Sequence, residues 1–314
     1  MKRIDYLDNL GGLLICYMML NHILLRGLIG CNVDNIWLEP LQFFMFWFFF
    51  KSGMFYTPKD TKQIVIRGGR KLLLPLLIYS ILGHVVECIN LYAAGDYNWK
   101  HYLLTPFKEF ICTGSVTGNH PLWFLFSLFF VLLMFNGLYV RKLQPVCTLL
   151  LGIAIPISLF YLDARLPIYI SNISLGVAVY AIGLLMKERQ FDIMIVTISL
   201  MLYLGIMIIC PSHLIFRSNT LNENGNYLLA ILFSLAGCIV FDNLFKRIPN
   251  IQLLQFIGKN SMTYYVTHWI ILNICSLILV RCFHMHGSLV FILMVIACVL
   301  IPTLIIKIEN KNNI

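Results

Sequence analysis

Ten apolar segments, centred near Tyr17, Trp47, Leu82, Val131, Ile153, Val177, Leu202, Ala236, Leu272 and Val295, run almost end to end through the 314 residues. A helix crosses a bilayer with about 20 apolar residues, and in hydrocarbon its backbone polar groups must be paired internally. The chain is 60% hydrophobic and only 12% charged, against about 25% charged residues in a soluble domain. Together these features predict an all-α, polytopic membrane bundle of about ten transmembrane helices. The longest non-apolar interval, Gly95 to Pro121, leaves no room for a soluble domain of ordinary size, so residues 1–314 read as one transmembrane domain. The first segment, from about Leu7 to Ile29, exceeds a signal-peptide core and lacks a small-residue cleavage site, which predicts a retained span.

The formal net charge of +9 would suit nucleic acid if it were clustered, but its distribution is topogenic. With the N-terminus inside, sixteen of the 23 basic residues fall in one set of alternate loops. Five (Lys100, Lys108, Arg165, Arg217 and Arg281) fall in the other, and Arg26 and Lys51 lie within spans. That bias predicts a multi-pass protein of the cell (inner) membrane with both termini cytoplasmic, and leaves nothing for a nucleic-acid partner to explain. Membrane lipids are the expected surroundings. The ten cysteines form no CxxC pair; Cys31, Cys112, Cys210 and Cys282 fall near the outer side without a pattern that supports a disulfide.

Polar groups at membrane depth are the functional candidates, because each is costly unless it faces a packed, wet or liganded interior. The first span carries Asn21-His22 and then Arg26. The second, Trp37 to Tyr56, is strongly aromatic and ends Lys51-Ser52-Gly53, with Lys51 close enough to the inner end to snorkel. The next loop holds Arg67, Arg70 and Lys71, a cluster that either sets topology or binds phosphate. His84, Glu87 and Asn90 share one face of the third span, as a tuned imidazole–carboxylate pair or as a polar stripe near the interface. Trp123 opens the fourth span as an interfacial aromatic. Asn260 or Ser261 is placed to cap the ninth span, where Tyr264 and His268 lie four apart on one face. No spacing within one helix resembles HExxH, and no metal is expected.

Several of these segments resemble the integral-membrane acyltransferase-3 family, in its short polysaccharide O-acetyltransferase form, similar to fucose 4-O-acetylase-like proteins. The opening Asp5-Tyr-Leu-Asp8-Asn-Leu-Gly11-Gly12, leading to Asn21-His22, is similar to the family's first-span motif. Phe49-Phe50-Lys51-Ser52-Gly53 resembles its second span, Arg67-x-x-Arg70-Lys71 its basic entry to the third, and Pro121-Leu-Trp123-Phe-Leu its fourth. Gly258-Lys-Asn-Ser261-Met-Thr-Tyr-Tyr265-x-x-His268 resembles its ninth. One position departs: the family usually has Arg or Lys eleven residues before the first-span histidine, where this chain has Gly11, so that charge is missing or comes from elsewhere, Arg26 being one candidate.

The resemblance implies acetyl-CoA as acyl donor and co-substrate, taken from the cytoplasm, and a hydroxyl of a cell-envelope polysaccharide or lipid-linked sugar as acceptor. It implies His22 as general base or transient acyl carrier, with Glu87, Tyr264 and His268 in support. Arg67, Arg70 and Lys71 would hold the donor's phosphates. Three other readings stay open: a transporter or flippase of a glycan intermediate, the same scaffold using succinyl-CoA, and a non-catalytic membrane partner.

Overall fold

The computed structural model of the chain describes residues 4–26, 39–140, 145–164, 167–187 and 191–312. Among them are thirteen α-helices and one two-stranded hairpin: α1 (Asp5–Leu24), α2 (Phe44–Met54), α3 (Thr61–Gly68), α4 (Leu74–Ala93), α5 (Trp99–Thr113), α6 (Trp123–Val140), α7 (Pro145–Tyr161), α8 (Tyr169–Met186), α9 (Ile193–Ile209), β1 (Leu214–Ile215), β2 (Thr220–Leu221), α10 (Tyr227–Arg247), α11 (Gln252–Lys259), α12 (Ser261–Cys275) and α13 (Ser288–Asn312). The π-helical turn Gly69–Leu73 joins α3 to α4, and a second, Ser276–Cys282, continues α12. The expected all-α membrane bundle is the fold.

Each of the ten expected apolar segments coincides with a helix, but they differ in reach. Among the described residues seven helices are long and apolar enough to cross a membrane. Helices α7 and α9 are apolar but 17 residues long, at the lower limit of a spanning helix. The second segment departs most: α2 has only 11 residues, about 16 Å of helix, and follows the 3₁₀ turn Glu39–Leu41. Residues 37 and 38, part of that expected span, lie outside the described residues, as does Cys31. A short helix is tolerated at depth because protein, not lipid, surrounds it. Met45, Phe46, Trp47, Phe49 and Phe50 are all buried.

Helices α1 and α8 form the centre, buried around most of their circumference. Polar residues go with them: Asn9 is fully buried and donates to Asn250 at 2.8 Å. The periphery is the reverse. Leu77, Ile81 and Val85 of α4, Met201 and Ile208 of α9, and Leu300 and Leu304 of α13 stand exposed, the outer surface of a bundle solvated by acyl chains. Glycine sets how closely the central helices approach. A Cβ on Gly12 would lie 2.0 Å from the Leu254 carbonyl oxygen, and one on Gly258 would lie 1.8 Å from that of Asp8, so α1 and α11 touch backbone to backbone. Gly53 and Gly183 make the same kind of seam between α2 and α8. Asn260 does not cap α12 with its side chain; its amide donates to the Phe256 carbonyl at 2.9 Å and closes the end of α11.

These contacts set a stability test. Gly12→Ala and Gly258→Ala should each lower the melting temperature in detergent, overpacking costing about 1–3 kcal/mol or more. Gly11→Ala, whose Cβ would meet its neighbours at 3.4 to 3.6 Å, should melt close to the parent. Parent-like melting of all three would refute the close α1–α11 seam.

Candidate functional site

Two cavities lie end to end along the parallel pair α1 and α12. The larger, about 550 Å³, opens at the end of the bundle where these helices begin, and Lys51, Lys59, Arg67 and Lys71 contribute to its lining. The smaller, about 260 Å³, lies toward the other ends of α1 and α12 and is lined by His22, His120, Arg217 and Trp269. Met45 and Tyr265 line both, so they stand at the junction. The Tyr265 hydroxyl donates to the Pro121 carbonyl, fixing the ring there.

His22 and His268 meet across α1 and α12. His22 Nδ1 and His268 Nε2 are 2.9 Å apart, and the rings lie nearly parallel, with centroids 5.1 Å apart. His268 is fully buried, and its Nδ1 lies 2.7 Å from the Tyr265 carbonyl oxygen. A carbonyl only accepts, so His268 Nδ1 carries the hydrogen. In a neutral ring His268 Nε2 is then the acceptor, and His22 Nδ1 must donate to it. The bond pattern therefore leaves His22 Nε2 without a proton, as a base. This is the orienting logic of a catalytic triad with a backbone carbonyl in the anchoring place.

Arg26, one turn beyond His22, braces the same pair of helices. Its Nη2 donates to Asn273 Oδ1 at 2.6 Å, its Nη1 to the Leu272 carbonyl at 3.3 Å, and its guanidinium lies 5.0 Å from the centre of the Trp269 ring. That position rules it out as the charge next to Gly11, about four turns away. The neighbour of Gly11 is Lys51, whose Nζ lies 3.4 Å from where a Gly11 Cβ would be. Lys51 does not snorkel outward: Nζ donates to the Leu7 carbonyl at 3.1 Å and lies 3.7 Å from Asp8 Oδ1.

On the far wall of the smaller cavity, Arg217 sits in the β1–β2 turn. The Phe216 ring stacks on Phe49 and Trp123, and Asn172 donates to the Arg217 carbonyl at 3.2 Å, so the turn is pinned. Arg217 Nη2 donates to His120 Nδ1 at 3.1 Å, and Glu109 Oε2 lies 3.7 Å from the same nitrogen. Burial lowers the Arg217 pKa while Glu109 opposes it, and burial raises that of Glu109. Trp123 is a core residue beside this cavity, 5% exposed, rather than an interfacial aromatic.

Of the residues singled out from sequence, His22 and His268 come together, and Arg67 and Lys71 line the larger cavity. Arg70, Tyr264 and Glu87 are placed elsewhere. Arg67, Arg70 and Lys71 are all exposed, but Arg70 lines neither cavity, because the turn leaving α3 puts Arg67 and Lys71 on the face at the mouth of the larger cavity and Arg70 off it. The Tyr264 hydroxyl pairs with Thr303 Oγ1 at 2.6 Å, on the α13 side, and lines neither cavity; Tyr265 takes the central place. Glu87 lines neither cavity, and among the described residues no hydrogen bond or ion pair joins it to His22, His84 or His268; His84 Nε2 instead lies 3.5 Å from Cys88 Sγ. Among the described residues no disulfide forms and no three metal-ligating side chains gather. Sequence reasoning passed over Tyr265, His120 and Arg217. Tyr265, three residues before His268, was visible in the helical period, whereas nothing local signals the Arg217–His120 contact.

Residues 4–307 match the family model described as an acyltransferase domain, Acyl_transf_3. The chain belongs to the acyltransferase-3 family. No curated protein and no solved structure matches it. Membership makes this membrane protein an acyltransferase and agrees with the motifs read from the sequence. The hydrogen-bond chain at its centre makes a spectroscopic prediction: ¹⁵N-histidine NMR on the protein in detergent should find His22 protonated at Nδ1 and bare at Nε2. His22 protonated at Nε2 alone would contradict the chain.

Proposed function

We propose that the protein is an O-acetyltransferase, moving acetyl from acetyl-CoA in the larger cavity to a hydroxyl of a cell-envelope polysaccharide or lipid-linked sugar in the smaller one. The observation that carries the reading is the lone-pair nitrogen His22 Nε2, oriented by His268 on the wall of the smaller cavity. A sugar hydroxyl is a weak nucleophile, so attack on a thioester needs a base near neutral pH.

The donor side is supported by charge and reach. Lys59, Arg67 and Lys71 at the mouth suit phosphates, and the lining deeper in, with Ile15, Phe48, Phe124 and Leu128, is apolar. From Gly11 to His22, α1 advances about 16 Å, comparable with the acyl-bearing arm of coenzyme A. The basic loops favour a cytoplasmic mouth. The acceptor side is supported by its walls: Trp123, Phe216 and Trp269 offer aromatic faces for the C–H faces of a sugar, and Asn21, Gln42 and Ser234 offer hydrogen bonds. The same polar set serves hydroxylated acceptors generally.

In the reaction His22 Nε2 takes the hydroxyl proton as the sugar oxygen attacks the thioester carbonyl. The tetrahedral intermediate expels the thiolate with cleavage of the C–S bond, and the imidazolium returns the proton to that sulfur. The products are the O-acetyl ester and free coenzyme A. While His22 is positive, its Nδ1–H bond to His268 becomes charge-assisted and strengthens.

His22→Ala should lower acetyl transfer by ~10²–10⁴ while the protein still inserts and elutes as the parent does. Parental acetylation by the folded variant would reduce His22 to a packing residue. A parent that acetylates nothing but moves labelled glycan across vesicles would establish a transporter instead.

A further inference from the structure

Gly11 and Gly12 adjoin on α1, both buried, and are glycine for different reasons. At Gly12 a Cβ would strike the backbone of α11, so the helix seam forbids any side chain. At Gly11 no backbone is in the way. The nearest atoms are the Lys51 ammonium at 3.4 Å and the Trp47 indole at 3.5 Å, both from α2. The space that a side chain at position 11 would use is taken by a cation from another helix.

That cation differs from its neighbours in the larger cavity. Lys59, Arg67 and Lys71 stand exposed at the rim, whereas the Lys51 side chain is 22% exposed. Its ammonium rests 5.0 Å from the Trp47 ring centre and is aimed by the Leu7 carbonyl and Asp8. An inward ammonium–carboxylate pair contributes little net stability compared with an apolar pair of the same shape, so packing alone does not account for it. Ionisable groups kept at membrane depth usually serve a ligand or a path.

We propose that Lys51, reaching through the gap left by Gly11, is the innermost phosphate-binding residue of the donor cavity. This rests on the reading that the cavity takes acyl-CoA. The rim cations draw the donor in, and Lys51 holds a phosphate where the polar mouth gives way to the apolar lining, setting how far the thioester reaches toward Tyr265 and His22. The cation usual at position 11 in the family is thus supplied here from α2.

The test is equilibrium binding of acetyl-CoA to the full-length chain in detergent. The parent should bind, and a parent that does not would refute the donor reading itself. With a binding parent, Lys51→Met should weaken affinity about tenfold to a hundredfold, the loss of one hydrogen bond to a charged group. Adding Gly11→Lys to Lys51→Met returns an ammonium to the same space and should recover most of the affinity, which a merely structural role for Lys51 would not produce. Parent-like binding by Lys51→Met overturns the proposal, and so does a folded double variant that stays weak. Should Lys51→Met alone fail to fold, the double variant carries the test by itself, its affinity matching the parent's or not.

Discussion

The hydrogen bond from His268 Nδ1 to the Tyr265 carbonyl sets the direction of every later bond at the centre of the bundle. Because the carbonyl cannot donate, the proton sits on His268 Nδ1, the acceptor sits on Nε2, and His22 is turned into a donor on one side and a base on the other. The His22–His268 contact joins residues 246 apart in sequence, so it exists only because α1 and α12 are locked together. Gly12 and Gly258 seat α1 on α11, Arg26 ties the end of α1 to Leu272 and Asn273, and Asn119 Nδ2 donates to the Val266 carbonyl at 3.0 Å. The site is a consequence of helix packing more than of any loop.

The short α2 faces both cavities. Its 11 residues offer Phe44 and Phe46 to one, Phe48, Lys51 and Ser52 to the other, and Met45 to both. The chemistry divides accordingly, with cations gathered at one mouth and histidines with aromatic walls beyond the junction.

Much of this was legible in the sequence. Apolar stretches of spanning length placed every segment, since lipid allows few alternatives to a helix. The cost of a histidine at depth pointed to His22, His84 and His268, of which His22 and His268 come together. Where the reading went astray, the missing information was three-dimensional. Helical spacing put Tyr264 on the His268 face, and only the packing of α13 decides that its hydroxyl turns to Thr303 while Tyr265 takes the central place. Arg70 looked equivalent to Arg67 and Lys71 until the π turn separated their faces. Lys51 read as an interfacial lysine because the gap that admits it belongs to a different helix. The Arg217–His120 contact joins a short hairpin to a distant turn, with no periodicity to announce it.

In the proposed reaction donor and acceptor meet from opposite ends of the bundle, at Met45 and Tyr265. Transfer by purified protein of known orientation in vesicles decides this, with labelled acetyl-CoA confined to the side bearing Lys59, Arg67 and Lys71 and acceptor saccharide to the other. Label should then reach the saccharide across the membrane, and reversing the two compartments should abolish transfer. Acetylation only when both substrates share one side would refute that meeting.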